Sequence, residues 1–109
     1  MIDFEISKKG WLITHSNENQ VRVNLNNVTR IQTWISRFEM PAIGRHGQSY
    51  NIALELSGKV DISRFEKGIV DPEKFDQAHW GFENVFILSY PSAELWDEAM
   101  KEIDKFINS

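Results

Sequence analysis

The sequence predicts an α+β fold, mainly antiparallel β, in which about seven short strands form a bent barrel or sheet closed by one C-terminal helix. Apolar and polar residues alternate along most of the first two thirds of the chain, as they do in strands with one buried face. Turn-forming residues separate these alternating segments at short intervals. After Pro91, apolar residues instead recur every three or four positions from Ser92 to Ile107, which is the spacing of one helical face.

The alternation places the strands in order along the chain. Gly10 is predicted to form the turn between the first two, because glycine adopts positive φ at no steric cost. Asn26 and Asn27 are predicted to form a two-residue hairpin turn, because asparagine tolerates the left-handed region. The predicted strands are 2–6, 11–15, 21–25, 28–37, 50–57, 60–63 and 85–90.

The C-terminal helix, 92–107, is predicted to complete the core. Its apolar face consists of Leu95, Trp96, Met100, Ile103 and Phe106. We expect this face to pack against apolar positions of the strands, namely Phe4, Val23, Ile31, Leu54 and Ile87.

Two segments, 38–49 and 64–84, are predicted to be long loops. Loops of more than about twelve residues are usually functional or contain structure of their own. The second is predicted to contain a helix, with Asp71 as its N-cap, Pro72 at its first position and Gly81 at its end.

Length and composition restrict the class of protein. A chain of 109 residues predicts a single domain spanning 1–109. The absence of cysteine excludes disulfides, thiolate nucleophiles and cysteine-ligated zinc. Asp3 and Glu5 stand where a secretory signal would be apolar, and the longest apolar run, 85–88, is far too short to cross a bilayer. We therefore expect a soluble, cytoplasmic protein with no transmembrane segment.

The net charge of −4 is distributed unevenly. Residues 1–60 have seven Lys/Arg and five Asp/Glu, a net charge of +2, whereas residues 61–109 have five and eleven, a net charge of −6. This acidic half repels phosphate backbones and favours a basic partner, so we expect no nucleic-acid partner.

Seven short antiparallel strands followed by a C-terminal helix resemble the architecture of the pleckstrin-homology-like family, a bent barrel plugged at one end by its last helix. An open sheet packed against the helix is the structural alternative. Many members of that family bind phosphoinositides through basic loops near the first strands, and many others bind only proteins. The resemblance therefore implies an alternative function, the binding of an anionic ligand or phosphoinositide through Lys8, Lys9 and Arg22.

The titratable side chains form no strong catalytic or metal-binding pattern. Asp76 and His79 lie one helical turn apart and would supply two ligands to a divalent ion, but no third ligand accompanies them. His15 and Ser16 are adjacent, and adjacent residues of a strand point to opposite faces. We therefore expect a protein that is not an enzyme and holds no metal or cofactor.

Large apolar side chains in the two predicted loops indicate a protein-binding site, since tryptophan in particular is enriched at interface hot spots. The alternative is that these rings pack back onto the barrel as a satellite cluster. The predicted partner-binding residues are Met40, Ile43, Arg45, Phe75, His79, Trp80 and Phe82. We therefore expect a small acidic protein-binding module, such as an inhibitor or immunity-type protein, whose partner is a protein with a basic or apolar surface.

Overall fold

A computed structural model describes residues 2–15, 21–40, 45–58, 65–67 and 78–108 of the chain. A 3-10 turn, Leu25–Asn27, separates the third strand from the fourth. The predicted α+β class, the predominance of antiparallel β and the C-terminal helix are confirmed. The elements are β1 (Phe4–Ile6), β2 (Trp11–Thr14), β3 (Arg22–Asn24), β4 (Val28–Met40), β5 (Arg45–Leu56), β6 (Phe65–Lys67), β7 (Ala78–Phe82), β8 (Val85–Tyr90) and α1 (Ala93–Ile107).

The strands form two antiparallel sheets, so the predicted arrangement of about seven strands in one bent barrel is wrong. One sheet has the order β1-β2-β3 and the other the order β4-β5-β8-β7-β6. The predicted hairpin at Asn26 and Asn27 is instead the 3-10 turn that carries the chain from one sheet to the other. The side chain of Asn24 accepts a hydrogen bond from the Asn26 backbone N–H at 3.0 Å, which stabilises this turn.

β4 and β5 occupy most of the first predicted loop, 38–49. They have 13 and 12 residues and pair from Val28 opposite Leu56 to Met40 opposite Arg45, with one register shift between Val28 and Arg30. The sequence predicts a loop here, whereas the two strands pair through most of the segment. This pairing is a long-range interaction that local sequence does not reveal. Residues 41–44 lie outside the described residues.

The second predicted loop, 64–84, contains β6 and β7. β7 pairs with β8, which places His79 opposite Leu88 and Gly81 opposite Phe86. The predicted helix therefore does not extend through 78–81, because pairing with the apolar strand β8 outweighs the local helix signals. The rest of that helix, 71–77, and the predicted strand 60–63 lie outside the described residues.

α1 begins and ends where the sequence predicts. The Ser92 side chain caps the helix, its Oγ accepting a hydrogen bond from the Leu95 N–H at 3.3 Å. Glu94 lies in the first turn and Lys105 in the last, where each complements the helix dipole.

The core lies where α1, the small sheet and one face of the larger sheet meet. Its fully or almost fully buried members come from both sheets and α1: Phe4, Leu12, Val23, Leu25, Ile52, Leu54, Leu56, Phe86, Leu88, Tyr90, Ala99 and Ile103. As predicted, the apolar face of α1 shares one core cluster with Phe4, Val23 and Leu54, and Ile31 packs against that cluster. Ile87 is buried outside this cluster, because side chains alternate along β8 and Ile87 lies on the opposite face of the sheet.

Candidate functional site

A two-stranded ribbon projects from the larger sheet. The pairing of β5 with β8 ends at Tyr50 opposite Tyr90. The pairing of β5 with β4 continues for five more residue pairs, from Ser36 opposite Ser49 to Met40 opposite Arg45. At about 3.4 Å per residue these five pairs extend about 17 Å. We call residues 36–40 and 45–49 the ribbon.

The buried side chain of Asn51 holds the base of the ribbon to the sheet. Its Oδ1 accepts hydrogen bonds from Ser49 Oγ at 2.9 Å and from Ser89 Oγ at 2.6 Å. Its Nδ2 donates to Ser36 Oγ and to the Ser49 carbonyl, both at 3.1 Å. Two donors and two acceptor lone pairs are all that an amide side chain has, so Asn51 is fully satisfied while it joins β4, β5 and β8.

Two tryptophans reinforce this base. The indole N–H of Trp96 in α1 donates to the Asn51 carbonyl at 3.1 Å, and its ring lies 5.4 Å from that of Tyr50. The indole N–H of Trp34 in β4 donates to Ser36 Oγ at 3.1 Å. The helix and the ribbon are therefore connected through one short stretch of β5.

The backbone direction of β5 determines which groups of β4 face outward. The Leu56 N–H donates to the Asn84 carbonyl at 2.8 Å, on the β8 side, and the Ser57 N–H donates to the Asn27 carbonyl at 2.7 Å, on the β4 side. Successive residues of a strand direct their N–H and C=O groups to alternate sides. From the register, the residues of β4 that hydrogen-bond to β5 are Arg30, Gln32, Trp34 and Ser36, and those directed to the outer edge are Ile31, Thr33, Ile35 and Arg37.

This outer edge of β4 is open in the part of the chain that the structure describes, because β4 is the terminal strand of its sheet there. An open groove of about 610 Å³ lies beside it, between residues 28–31 and the end of α1 at Phe106 and Ile107. Among the side chains whose burial the structure describes, three large apolar ones are exposed, and two of them adjoin this edge: Ile35 (48%) in β4 and Ile107 (40%). The third, Trp11, is in the small sheet.

The ribbon includes two of the residues predicted to bind a partner. Met40 and Arg45 lie opposite each other in the last described pair of the ribbon. Ile43 and Phe75 lie outside the described residues.

The other predicted partner-binding residues are not brought to the ribbon. Trp80 and Phe82 lie in β7, opposite Ile87 and Val85, and β8 separates β7 from β5. The two segments that contain the predicted partner-binding residues thus lie on different strand pairs of the sheet.

His79 is inside the protein. Its side chain is 2% exposed, its Nδ1 lies 4.0 Å from Asp3 Oδ2 and its ring lies 5.9 Å from that of Phe86. The prediction that His79 meets a partner assumed an exposed loop, whereas its position in β7 directs it towards the core. Asp76, its predicted companion in a metal site, lies outside the described residues.

Buried His79 in β7 and buried Tyr90 in β8 form a titratable cluster with Asp3, a partly exposed residue just before β1. The Tyr90 hydroxyl donates to Asp3 Oδ1 at 3.4 Å. Burial, followed by the negative charge of Asp3, this hydrogen bond and the charge of Glu98, raises the pKa of Tyr90 above its usual value. Sequence reasoning missed the cluster, although the position of Tyr90 on the apolar face of β8 signals a buried hydroxyl that needs a partner.

The basic residues of the alternative function lie on the small sheet. Lys8 and Lys9 are exposed in the turn between β1 and β2. Arg22 lies opposite Ile13, which lies opposite Glu5, so one cross-strand row contains an acid as well as a base. Binding of an anionic ligand there stays a prediction.

Within the described residues, no group of three or more His, Cys, Asp or Glu side chains has the arrangement of a metal site. No helix in the same residues is long and apolar enough to span a membrane.

In comparisons with known proteins, no family model, no curated protein and no solved structure matched the chain.

Replacing Asn51 tests whether its amide holds the strands together. Asn51→Ala removes the acceptor of the Ser49 and Ser89 hydroxyls and leaves them buried without it. We expect the free energy of unfolding, measured with urea, to fall by about 1–3 kcal/mol. Gln32→Ala, at an exposed position of β4, is the matched control and should change it by less than about 0.5 kcal/mol. Equal effects of the two substitutions would contradict this role.

The pKa of Tyr90 predicts a loss of stability at alkaline pH. Tyr90 ionises near pH 10 in the unfolded chain but remains neutral at that pH in the folded protein. Above about pH 10 the unfolded state therefore binds fewer protons, and the free energy of unfolding falls by up to about 1.4 kcal/mol per pH unit. Tyr90→Phe should remove this part of the decline in urea unfolding between about pH 9 and pH 11, and Tyr50→Phe should retain it. An unchanged decline in Tyr90→Phe would show that another group is responsible.

Proposed function

We propose that this chain is a non-enzymatic protein-binding module whose docking element is the ribbon. The observation that carries the proposal is the continuation of the β4–β5 pairing for five residue pairs beyond the last β5–β8 pair. Among the described strands, none pairs with either edge of the ribbon. Both of its strands therefore offer main-chain donors and acceptors to an incoming segment of another protein.

The base of the ribbon makes it suitable for docking. A free two-stranded hairpin is at best marginally stable in water. Here the side chain of Asn51 in β5 bonds to Ser36 at the base of the ribbon, and the Trp96 indole of α1 bonds to the Asn51 carbonyl. A projecting element that is anchored in this way loses less conformational entropy on binding than a flexible loop does.

Of the two predicted kinds of partner surface, basic and apolar, the charges of the ribbon favour the apolar one. Arg37, Glu39 and Arg45 give the ribbon a small positive charge, which does not favour a basic partner. The unpaired main-chain groups of the ribbon suit a strand edge or a cleft that accepts an added strand. An inhibitor or immunity-type role, in which the ribbon occupies such a cleft, is the form of the proposal that this geometry supports.

The titratable cluster supports a binding role over catalysis. The tyrosine and histidine of the Asp3–His79–Tyr90 cluster are almost completely inaccessible to solvent, whereas an acid–base group must reach its substrate. A cytoplasmic location, which the absence of cysteine favours, is also part of the proposal.

A shortened ribbon tests the proposal. Replacing residues 39–46 by Asn-Gly joins Phe38 to Gly47, a pair that bonds through the backbone and suits a two-residue turn. In affinity capture from the source cell, we expect the wild-type chain to retain one protein in stoichiometric amount. The shortened chain should not retain that protein. The purified wild-type chain and the purified captured protein should form the same complex, and the shortened chain should not.

The control for this experiment alters an exposed part of α1. Asp97→Ala with Lys101→Ala removes an exposed ion pair far from the ribbon in sequence and should leave the capture unchanged. Retention of the same protein by the shortened chain would overturn the ribbon as the docking element. Failure of the folded wild-type chain to retain any protein would overturn the binding module itself.

A further inference from the structure

We propose that the outer edge of β4 is a dimerisation surface that pairs antiparallel with the same edge of a second copy of this chain. The contact is centred on Thr33 and joins two five-stranded sheets into one continuous sheet. It uses residues 29–37, and it is independent of the proposed function because the far half of the ribbon takes no part in it.

The first support is the absence, from Ile31 to Ile35 at the centre of this edge, of the features that normally prevent edge pairing. Natural edge strands are protected by short length, proline, charge or bulges. β4 has 13 residues and no proline, and its register shift lies at Thr29, at its beginning. The five residues from Ile31 to Ile35 carry no charge.

The second support is the complementarity of the edge to itself. A two-fold axis at Thr33 places each residue of one copy opposite the residue of the second copy whose number completes a sum of 66. Residues whose N–H and C=O groups point outward in one copy then face residues of the same kind in the other. Ile31 then faces Ile35 of the second copy in two symmetric apolar pairs. Arg37 faces Thr29, and Arg30 faces Ser36, so no like charges oppose each other.

The third support is the groove beside the edge. Ile31 lines it together with Phe106 and Ile107. Ile35 is 48% exposed and shares the α1 face of β4 with Ile31, because side chains alternate along the strand. In the dimer, Ile35 of the second copy lies opposite Ile31 and reaches this groove. The pairing therefore covers two of the exposed large apolar side chains of the described residues in each copy.

Light scattering coupled to size-exclusion chromatography tests the proposal on the full chain. A contact of one strand edge and a groove is near the lower limit of interface size, so we expect a mass that rises from 12.7 kDa towards twice that value between about 1 and 100 µM. Ile35→Lys should remain monomeric over that range, with a circular-dichroism spectrum like that of the wild-type chain. Trp11→Lys, at a similarly exposed apolar position on the small sheet, is the matched control and should still dimerise.

Single cysteines test the register, since the chain has none of its own. Thr33→Cys places the two sulfurs at the axis, where Cα atoms about 5.5 Å apart are within disulfide range. It should form an oxidised dimer that sodium dodecyl sulfate does not separate. Thr29→Cys places its two Cα atoms about 27 Å apart and should not cross-link.

The proposal is overturned if the wild-type chain is monomeric up to about 100 µM, because the edge of β4 would then not pair with a second copy of the chain. It is also overturned if Ile35→Lys dimerises as the wild type does, or if Thr29→Cys cross-links as readily as Thr33→Cys. The chain with the shortened ribbon retains residues 29–37 and should still dimerise. Light scattering therefore tests the dimer, and affinity capture tests the proposed function, independently of each other.

Discussion

The position of Asn51 is the constraint on which the larger sheet depends. Its side chain bonds to β4, β5 and β8 on one face of the sheet, while Ile52 and Leu54 beside it enter the core on the other. A slip of one residue would expose those two apolar side chains to water and bury the amide among apolar groups. Both changes would lower the free energy of unfolding. One polar side chain thus fixes the register of the strand that carries the ribbon.

This constraint explains why the two ends of the sheet differ. β8 and residues 50–55 of β5 are paired on both edges, and most of their side chains are buried, so the backbone groups there are satisfied within the sheet. β4 has one open edge in the described structure, and there alternate N–H and C=O groups face outward beside exposed Ile35. The same long hairpin therefore supplies a ribbon for one contact and a strand edge for another, and both depend on a single register.

Much of the local structure was predictable from the sequence, but its arrangement was not. The apolar spacing of α1 is a local signal, and it predicts the helix within one residue of its observed bounds. The division into two sheets depends on how Asn24 bonds within a turn, and two asparagines alone do not distinguish that turn from a hairpin. Asn51 fits the polar positions of a half-exposed strand, and only the serines of three strands make its burial favourable. For the site, the sequence places Met40 and Arg45 in a predicted loop, whereas the strand pairing that supports the proposal is a long-range property.

Residue-resolved amide hydrogen exchange along β4 tests the central claim, a fixed register with one open edge. We would measure it on the Ile35→Lys chain, in which a charge opposes pairing at that edge. The register predicts slow exchange at Gln32, Trp34 and Ser36, whose N–H groups bond to β5. It predicts fast exchange at Thr33 and Arg37, whose N–H groups face the open edge. Equal protection of both sets, or protection of Thr33 and Arg37 instead, would contradict the account.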